Sequence, residues 1–275
     1  MAEGASDLPA WSLASAAGGA PRLEAAWPHP VDVGWAHGAA DGAGVRVCIV
    51  DSGVDGDHPR VGGVQRSVAA VAGEDGEMRV EDDAAGDASG HGTACAGIVR
   101  ALAPRCELAG VRVLGPGLGG TGAALLAGLR WAIDEGYDVI NLSLSTRRRA
   151  FAEELHELAD RAYFRGSLVV CCAHNLPVES FPWRFASVVS VAGHDGEDPL
   201  EVHYNPRPPV EFYGRGVDVD VAWSGGGSIR ATGNSFAAPH LSGICARILG
   251  AHPGLTPFQV KSLLYLTAVN VRSAA

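Results

Sequence analysis

Four residues of this chain have side chains suited to acyl transfer, and each stands where an element of secondary structure is expected to begin or end. Asp51 closes the apolar run 45–50 and is followed by Ser52-Gly53. A carboxylate at a strand tip before a tight turn can orient an imidazole, although alone it reads as a turn aspartate. His91 lies in Ser89-Gly90-His91-Gly92-Thr93 at the start of an apolar helical segment. The glycine on either side lets the backbone approach a bound chain closely. Asn175 follows the run 168–172, where its amide can donate to an oxyanion. Ser235, within the segment GNSFAAPH (233–240), sits at the mouth of a helix. Its hydroxyl is exposed there and its backbone N–H lacks an intrahelical acceptor. An isolated serine in that place is an ordinary N-cap. The order Asp51, His91, Asn175, Ser235 is what makes the set specific. Among the other histidines, His240 falls inside the helix and reads as buried and structural, and His58 precedes Pro59 in a turn.

The elements that must position these groups alternate along the chain. Apolar, β-branched runs at 45–50, 108–113, 139–142, 168–172 and 188–192 read as strands, and helical periodicity marks 93–103, 123–135, 150–165, 236–249 and 257–266. Unbroken apolar strands are covered on both faces, as in a parallel sheet between two helix layers. The expected fold is therefore α/β, doubly wound and mostly parallel, a single domain over residues 24–275. Residues 1–23, rich in Ala, Gly and Ser, are expected to be a poorly ordered extension. Residues 217–222 (VDVDVA) alternate strictly and read as a half-exposed strand. In such sheets reactive groups gather at the carboxyl ends of the strands.

Composition removes several function classes. A formal charge of −10 argues against a nucleic-acid partner. No apolar run reaches the roughly 18 residues of a membrane span, and residues 1–20 lack the basic and apolar regions of a secretory signal. The six cysteines include no CxxC pair and mostly lie in apolar runs, which predicts buried reduced thiols, no zinc site and a cytoplasmic location. Residues 72–90 hold seven carboxylates and read as a solvated loop. The glycine-dense segment 114–122 lacks the GK[ST] ending of a phosphate cradle.

DSG at Asp51, GHGT around His91 and GNSFAAPH around Ser235 resemble the three signature blocks of the subtilisin-like serine proteases. LRWAI at 129–133 and VINLSL at 139–144 extend the resemblance over roughly residues 24–270. It implies a mostly parallel, seven-stranded-type sheet and a serine endopeptidase acting on a peptide or protein substrate. Ser235 would attack the scissile carbonyl, His91 would take and return the proton, and Asp51 would hold the imidazole. Asn175 and the Ser235 N–H would bind the oxyanion. The substrate would lie extended between Leu118-Gly119-Gly120 and Ser143-Leu144-Ser145. The chain departs from the family pattern at Asn234 and Phe236, the latter placed to crowd the leaving-group side. Ser145 and His174 stand where family members carry glycines lining the pocket before the scissile bond, which implies a narrowed pocket. The family's calcium site should be absent because Arg60 stands where an aspartate ligand is usual, so no cofactor is expected. Asp87, four residues before His91, reads as an exposed loop carboxylate, with a bias toward basic substrate residues as the other reading. The short stretch before the matching region fits an intracellular member of restricted specificity, such as a leader-removing peptidase, with a partner or regulatory subunit. The other reading open to the sequence is a catalytically impaired subtilisin fold that binds peptides or partners.

Overall fold

The computed structural model describes residues 26–271, so the extension expected at 1–23 lies outside the described residues. Seven strands run parallel in the spatial order β2 (Arg66–Ala72), β4 (Glu107–Arg112), β1 (Arg46–Asp51), β5 (Val139–Leu142), β6 (Leu168–Cys172), β7 (Val189–His194) and β9 (Phe212–Arg215). Antiparallel strands β3 (Met78–Asp82) and β8 (His203–Tyr204) close the two edges. A separate antiparallel ribbon pairs β10 (Val219–Trp223) with β11 (Gly227–Ala231). The helices are α1 (Val33–Ala36), α2 (His91–Leu102), α3 (Gly122–Asp134), α4 (Ala152–Phe164), α5 (Asn234–Ala251) and α6 (Pro257–Thr267).

The unbroken apolar strands follow from double coverage. Cys48 and Val50 of β1 join Ile140, Leu142 and Val169 in a buried cluster with Leu129 and Ile133 of α3 and Leu155 of α4. Val47 and Ile49, on the opposite pleat, are equally inaccessible. Helices α2 and α5 pack on each other, and α5 also covers β5, β6 and β7. The central strands β1, β5 and β6 therefore bury both faces.

The structure departs from the sequence expectation in the acidic stretch. Residues 78–82 form β3 and pair with β2, so part of 72–90 is sheet edge rather than loop. Charged side chains such as Glu81 and Asp82 suit an edge strand because they discourage further pairing. The carboxyl ends of β1, β5 and β6 lie side by side. They deliver Asp51, Ser143 and the Cys172–Asn175 segment to one end of the sheet.

Candidate active site

Asp51 is the last residue of β1 and fully buried, and His91 opens α2 at 7% exposure. The imidazole Nδ1 lies 2.8 Å and 3.0 Å from the two Asp51 carboxylate oxygens. A carboxylate accepts, so Nδ1 carries the hydrogen and Nε2 keeps its lone pair. The pair sits this close because glycines permit it. A Cβ on Gly92 would come within 1.9 Å of the Gly53 carbonyl and 3.2 Å of the Asp51 Cβ. Burial opposes charging of His91, but the Asp51 charge, its hydrogen bond and the Asp87 charge outweigh that, leaving the His91 pKa above its ordinary value.

Asp87 does more than an exposed loop carboxylate would. Its Oδ1 accepts from Ser52 Oγ at 2.7 Å, Ser89 N at 3.0 Å and Gly90 N at 2.8 Å. Its Oδ2 accepts from Thr93 N at 2.7 Å and Thr93 Oγ1 at 2.6 Å. Asp87 thus caps the first turn of α2, which Gly90 leaves without a side-chain cap, and ties that turn to the residue after Asp51. A carboxylate so fully engaged is not free to recognise a basic substrate residue.

Ser235 is the second residue of α5, so its N–H has no intrahelical acceptor. Asn234 stitches the helix mouth to its surroundings. Its N–H donates to Asn175 Oδ1 at 2.9 Å, and its side-chain oxygen accepts from Gly193 N at 2.8 Å. With the Asn175 oxygen held, its Nδ2 remains to donate elsewhere. A Cβ built on Gly233 would lie 3.2 Å from Ser235 Oγ and 3.5 Å from Asn175 Nδ2, so hydroxyl and amide face a common point. Among the described residues no hydrogen bond joins Ser235 Oγ to His91, although both line one groove. Such contacts are often long without substrate and tighten when it binds.

A buried polar chain anchors Ser235 from below. Pro239 is the sixth residue of α5 and, lacking an N–H, leaves the Ser235 carbonyl without its helix donor. Ser143 Oγ fills that vacancy at 2.7 Å. Asn141 Nδ2 donates to Ser143 Oγ at 3.1 Å, and Ser242 Oγ donates to Asn141 Oδ1 at 3.0 Å. Cys95 lies beside this chain, its Sγ 3.3 Å from Ser143 Oγ, and burial followed by the Asp51 charge pushes its thiol well above the ordinary value. A neutral, inaccessible thiol is not a competing nucleophile.

The groove has a volume of about 310 Å³ and is lined by His91, Ser235, Leu118, Gly120, Ser143, Leu144, Ser145, His174 and Asn175. Gly119 is not in the lining; its carbonyl is used by Gly115 N–H at 2.7 Å. Leu114 and Leu125 line the groove as well. In the sequence Leu114 falls in the glycine-dense segment 114–122 and Leu125 in the helical stretch 123–135, and an apolar groove wall carries no polar signal to single them out. Phe236 does not crowd the groove. It is 5% exposed in a cluster with Ala94, Ile98 and Val221, and its ring centroid lies 5.6 Å from that of His91. His240 is buried, donates from Nδ1 to the Phe236 carbonyl at 2.8 Å, and has its pKa lowered to about 4, first by burial.

The implied calcium site does not fit these residues. Arg60 donates to the Asp220 carboxylate at 3.2 Å and to its carbonyl at 2.8 Å, so a cation of the protein already holds those oxygens. Helix α2 also runs unbroken from His91 to Leu102. Elsewhere His194, Glu201 and His203 cluster, but His194 spends Nδ1 on Gly196 N–H and Nε2 on the Glu201 carbonyl. All six cysteines are free and buried.

A buried carboxylate–imidazole pair, a helix-mouth hydroxyl and a facing amide at the tips of a parallel sheet are the groups of a serine hydrolase. The subtilase family model matches residues 42–275. Subtilisin DY of Bacillus licheniformis is 32% identical over 245 residues, covering 84% of this chain and 85% of that protein. The thermostable alkaline protease of Halalkalibacterium halodurans is 29% identical over 245 residues, of which the chain covers 64%. The crystal structure of a cold-adapted subtilisin-like serine proteinase superimposes with a TM-score of 0.65 at 27% identity, covering 82% of each chain. The chain belongs to the subtilase family. It is a serine endopeptidase, a hydrolase whose substrates are peptides or proteins.

Proposed function

We propose that Ser235, His91 and Asp51 form the catalytic triad and that Asn175 completes the oxyanion site, in a cytoplasmic endopeptidase of restricted specificity. The observation that carries this reading is the Asp51–His91 pair, whose Nδ1 faces the carboxylate at 2.8 Å and whose free Nε2 belongs to the groove that Ser235 lines. Nε2 takes the Ser235 proton as Oγ attacks the scissile carbonyl, and returns it to the leaving amine. The imidazolium formed between is stabilised by Asp51. The negative charge on the tetrahedral oxygen is met by Asn175 Nδ2, the Ser235 N–H and the positive end of α5. Water then releases the acyl group by the reverse sequence.

Restricted specificity is supported by the pocket wall. Ser145 Oγ donates to the buried Ser180 Oγ at 3.0 Å, and Ser180 also accepts from Trp183 Nε1 at 2.8 Å. This wall is braced rather than open, so small residues before the scissile bond are favoured, as in the trimming of a leader by a peptidase that a partner protein directs. Six free, buried thiols support residence in a reducing compartment. No described helix is long and apolar enough to cross a membrane. The test is labelling with a fluorophosphonate. Uptake at Ser235 that disappears in Ser235→Ala and His91→Ala is expected, together with turnover of peptides. A folded protein that takes up no probe overturns the assignment.

A further inference from the structure

The groove wall Ser143–Thr146 runs directly into Arg147, Arg148 and Arg149, three consecutive exposed arginines in a chain of net charge −10. The turn that carries them is fixed. Thr146 and Phe181 exchange backbone hydrogen bonds at 2.9 Å, and Arg148 N–H donates to Thr146 Oγ1 at 3.2 Å. Two residues on, the Phe151 ring packs on Gly122: a Cβ there would meet three ring atoms at 2.1 to 2.7 Å. Gly122 itself lines the groove, so the arginine turn borders the groove's end. Arg149 is committed to Glu179 at 2.7 Å, a carboxylate that Arg184 shares at 3.2 Å. Among the described residues Arg147 and Arg148 make no ion pair, and Glu154, in the first turn of the helix that follows, is held by Arg130. Glu153 in that same turn is the nearest carboxylate in sequence. The surplus of positive charge is therefore local and directed outward.

We propose that Arg147 and Arg148 form a subsite for carboxylate side chains, so that the enzyme prefers substrates with Asp or Glu upstream of the scissile bond. The inference rests on the reading of the groove given above, in which Ser143–Ser145 flank the acyl side of the substrate. A substrate strand rising about 3.3 Å per residue beside this wall places the acidic residues roughly three to five positions upstream. A guanidinium presents a planar fork that matches a carboxylate, which suits this recognition better than a lysine would. Both arginines are exposed, so the preference is moderate and screened by salt.

The experiment uses fluorogenic peptides identical around an Ala–Ala scissile bond, with Glu-Glu or Gln-Gln at the fourth and fifth upstream positions, and a third peptide with Glu-Glu at the corresponding downstream positions. At low ionic strength the upstream Glu-Glu peptide is expected to show about fivefold higher kcat/KM than the Gln-Gln peptide, mainly through KM. The ratio should approach one in about 0.5 M NaCl, where screening acts within a few Å. In Arg147→Gln/Arg148→Gln the ratio should collapse to one at every salt concentration. Equal cleavage of the two upstream peptides, a preference that survives the double substitution, or an equal preference for downstream Glu-Glu overturns the subsite. Failure of the catalytic reading appears separately, as absent fluorophosphonate uptake. In that event anisotropy with the same labelled peptides decides the subsite, by whether Glu-Glu binds more tightly than Gln-Gln and loses that advantage in the double variant.

Discussion

Ser143 donates its hydroxyl at 2.7 Å to the Ser235 carbonyl, the acceptor that Pro239 deprives of a helix N–H. The proline thus opens a vacancy in the helix ladder, and strand β5 supplies the side chain that fills it. This fixes the backbone of Ser235 relative to the sheet. Ser143→Ala leaves a buried carbonyl unsatisfied and should cost about 1–3 kcal/mol of stability, with a fall in kcat. In a Pro239→Ala background the helix regains a donor for that carbonyl, so the same Ser143→Ala change should cost measurably less. A double-mutant cycle by urea denaturation reads the coupling. Additive losses would show that the two residues act independently.

Asp87 joins both halves of the proton-transfer pair, through Ser52 on one side and the first turn of α2 on the other. Asp87→Asn cannot accept the same set of donors. It should lower kcat about tenfold to a hundredfold through misplacement of His91, since small displacements near the chemistry are costly. The pH profile separates this from a general loss of folding. His91 works as a base only when neutral, and the Asp51 and Asp87 charges raise its pKa against the effect of burial, so activity should rise through a midpoint above that of an ordinary imidazole. Removing the Asp87 charge should move the midpoint down. The stability carried by the protonated His91 runs the other way: it is fully present below about pH 6.5 and fades as pH climbs through the raised folded value. An unmoved acid limb in a folded Asp87→Asn protein would falsify this electrostatic role.

Gly233 offers a steric probe of the proposed oxyanion site. Its φ of 169° is extended backbone open to any residue, so alanine is not strained there. Its methyl would nonetheless stand 3.2 Å from Ser235 Oγ and 3.5 Å from Asn175 Nδ2, where the proposed mechanism places the tetrahedral oxygen. Gly233→Ala should keep its melting temperature and lose about 10²–10³ in kcat, as should Asn175→Leu, which removes the amide donor. Burst titration with an active ester measures the loss. Wild-type turnover in either variant would place the oxyanion elsewhere.

Much of this architecture is legible in the chain. Five strands and five helices fall where apolar runs and helical periodicity place them, because burial on both faces leaves no polar interruption to confuse the period. Strands β2 and β3 escape that reading: MRVED carries edge charges and looks like loop. Strand β9 escapes because FYGR follows the proline-rich stretch 206–209, which reads as a breaker. Asp51, His91, Asn175 and Ser235 are legible as element ends. The supports beneath them are not, because Asn141 and Ser242 meet across 101 residues and Asp87 and Ser52 across 35. Side-chain hydrogen bonds of that range leave no periodicity to read.

The pocket wall carries the last prediction. Ser145 is braced by the buried Ser180 at 3.0 Å, and His174, whose Nδ1 accepts from Leu176 N–H at 3.0 Å, belongs to the same groove lining. In the proposed reading both side chains take up space at the pocket for the residue before the scissile bond. Ser145→Gly should widen it but also remove one of the two donors to the Ser180 hydroxyl, which keeps Trp183 Nε1, so a stability loss of about 1 kcal/mol is expected alongside the change in preference. His174→Gly removes the ring without touching that hydrogen bond. In a peptide library the native enzyme should favour small residues at this position, and each glycine variant should gain activity on Phe and Leu. The gain per added methylene group is bounded at about 1–3 kcal/mol of transition-state binding, so a shift of tenfold to a hundredfold in relative kcat/KM is the expected scale. A native profile already dominated by large aromatic residues would show that the wall leaves the pocket open.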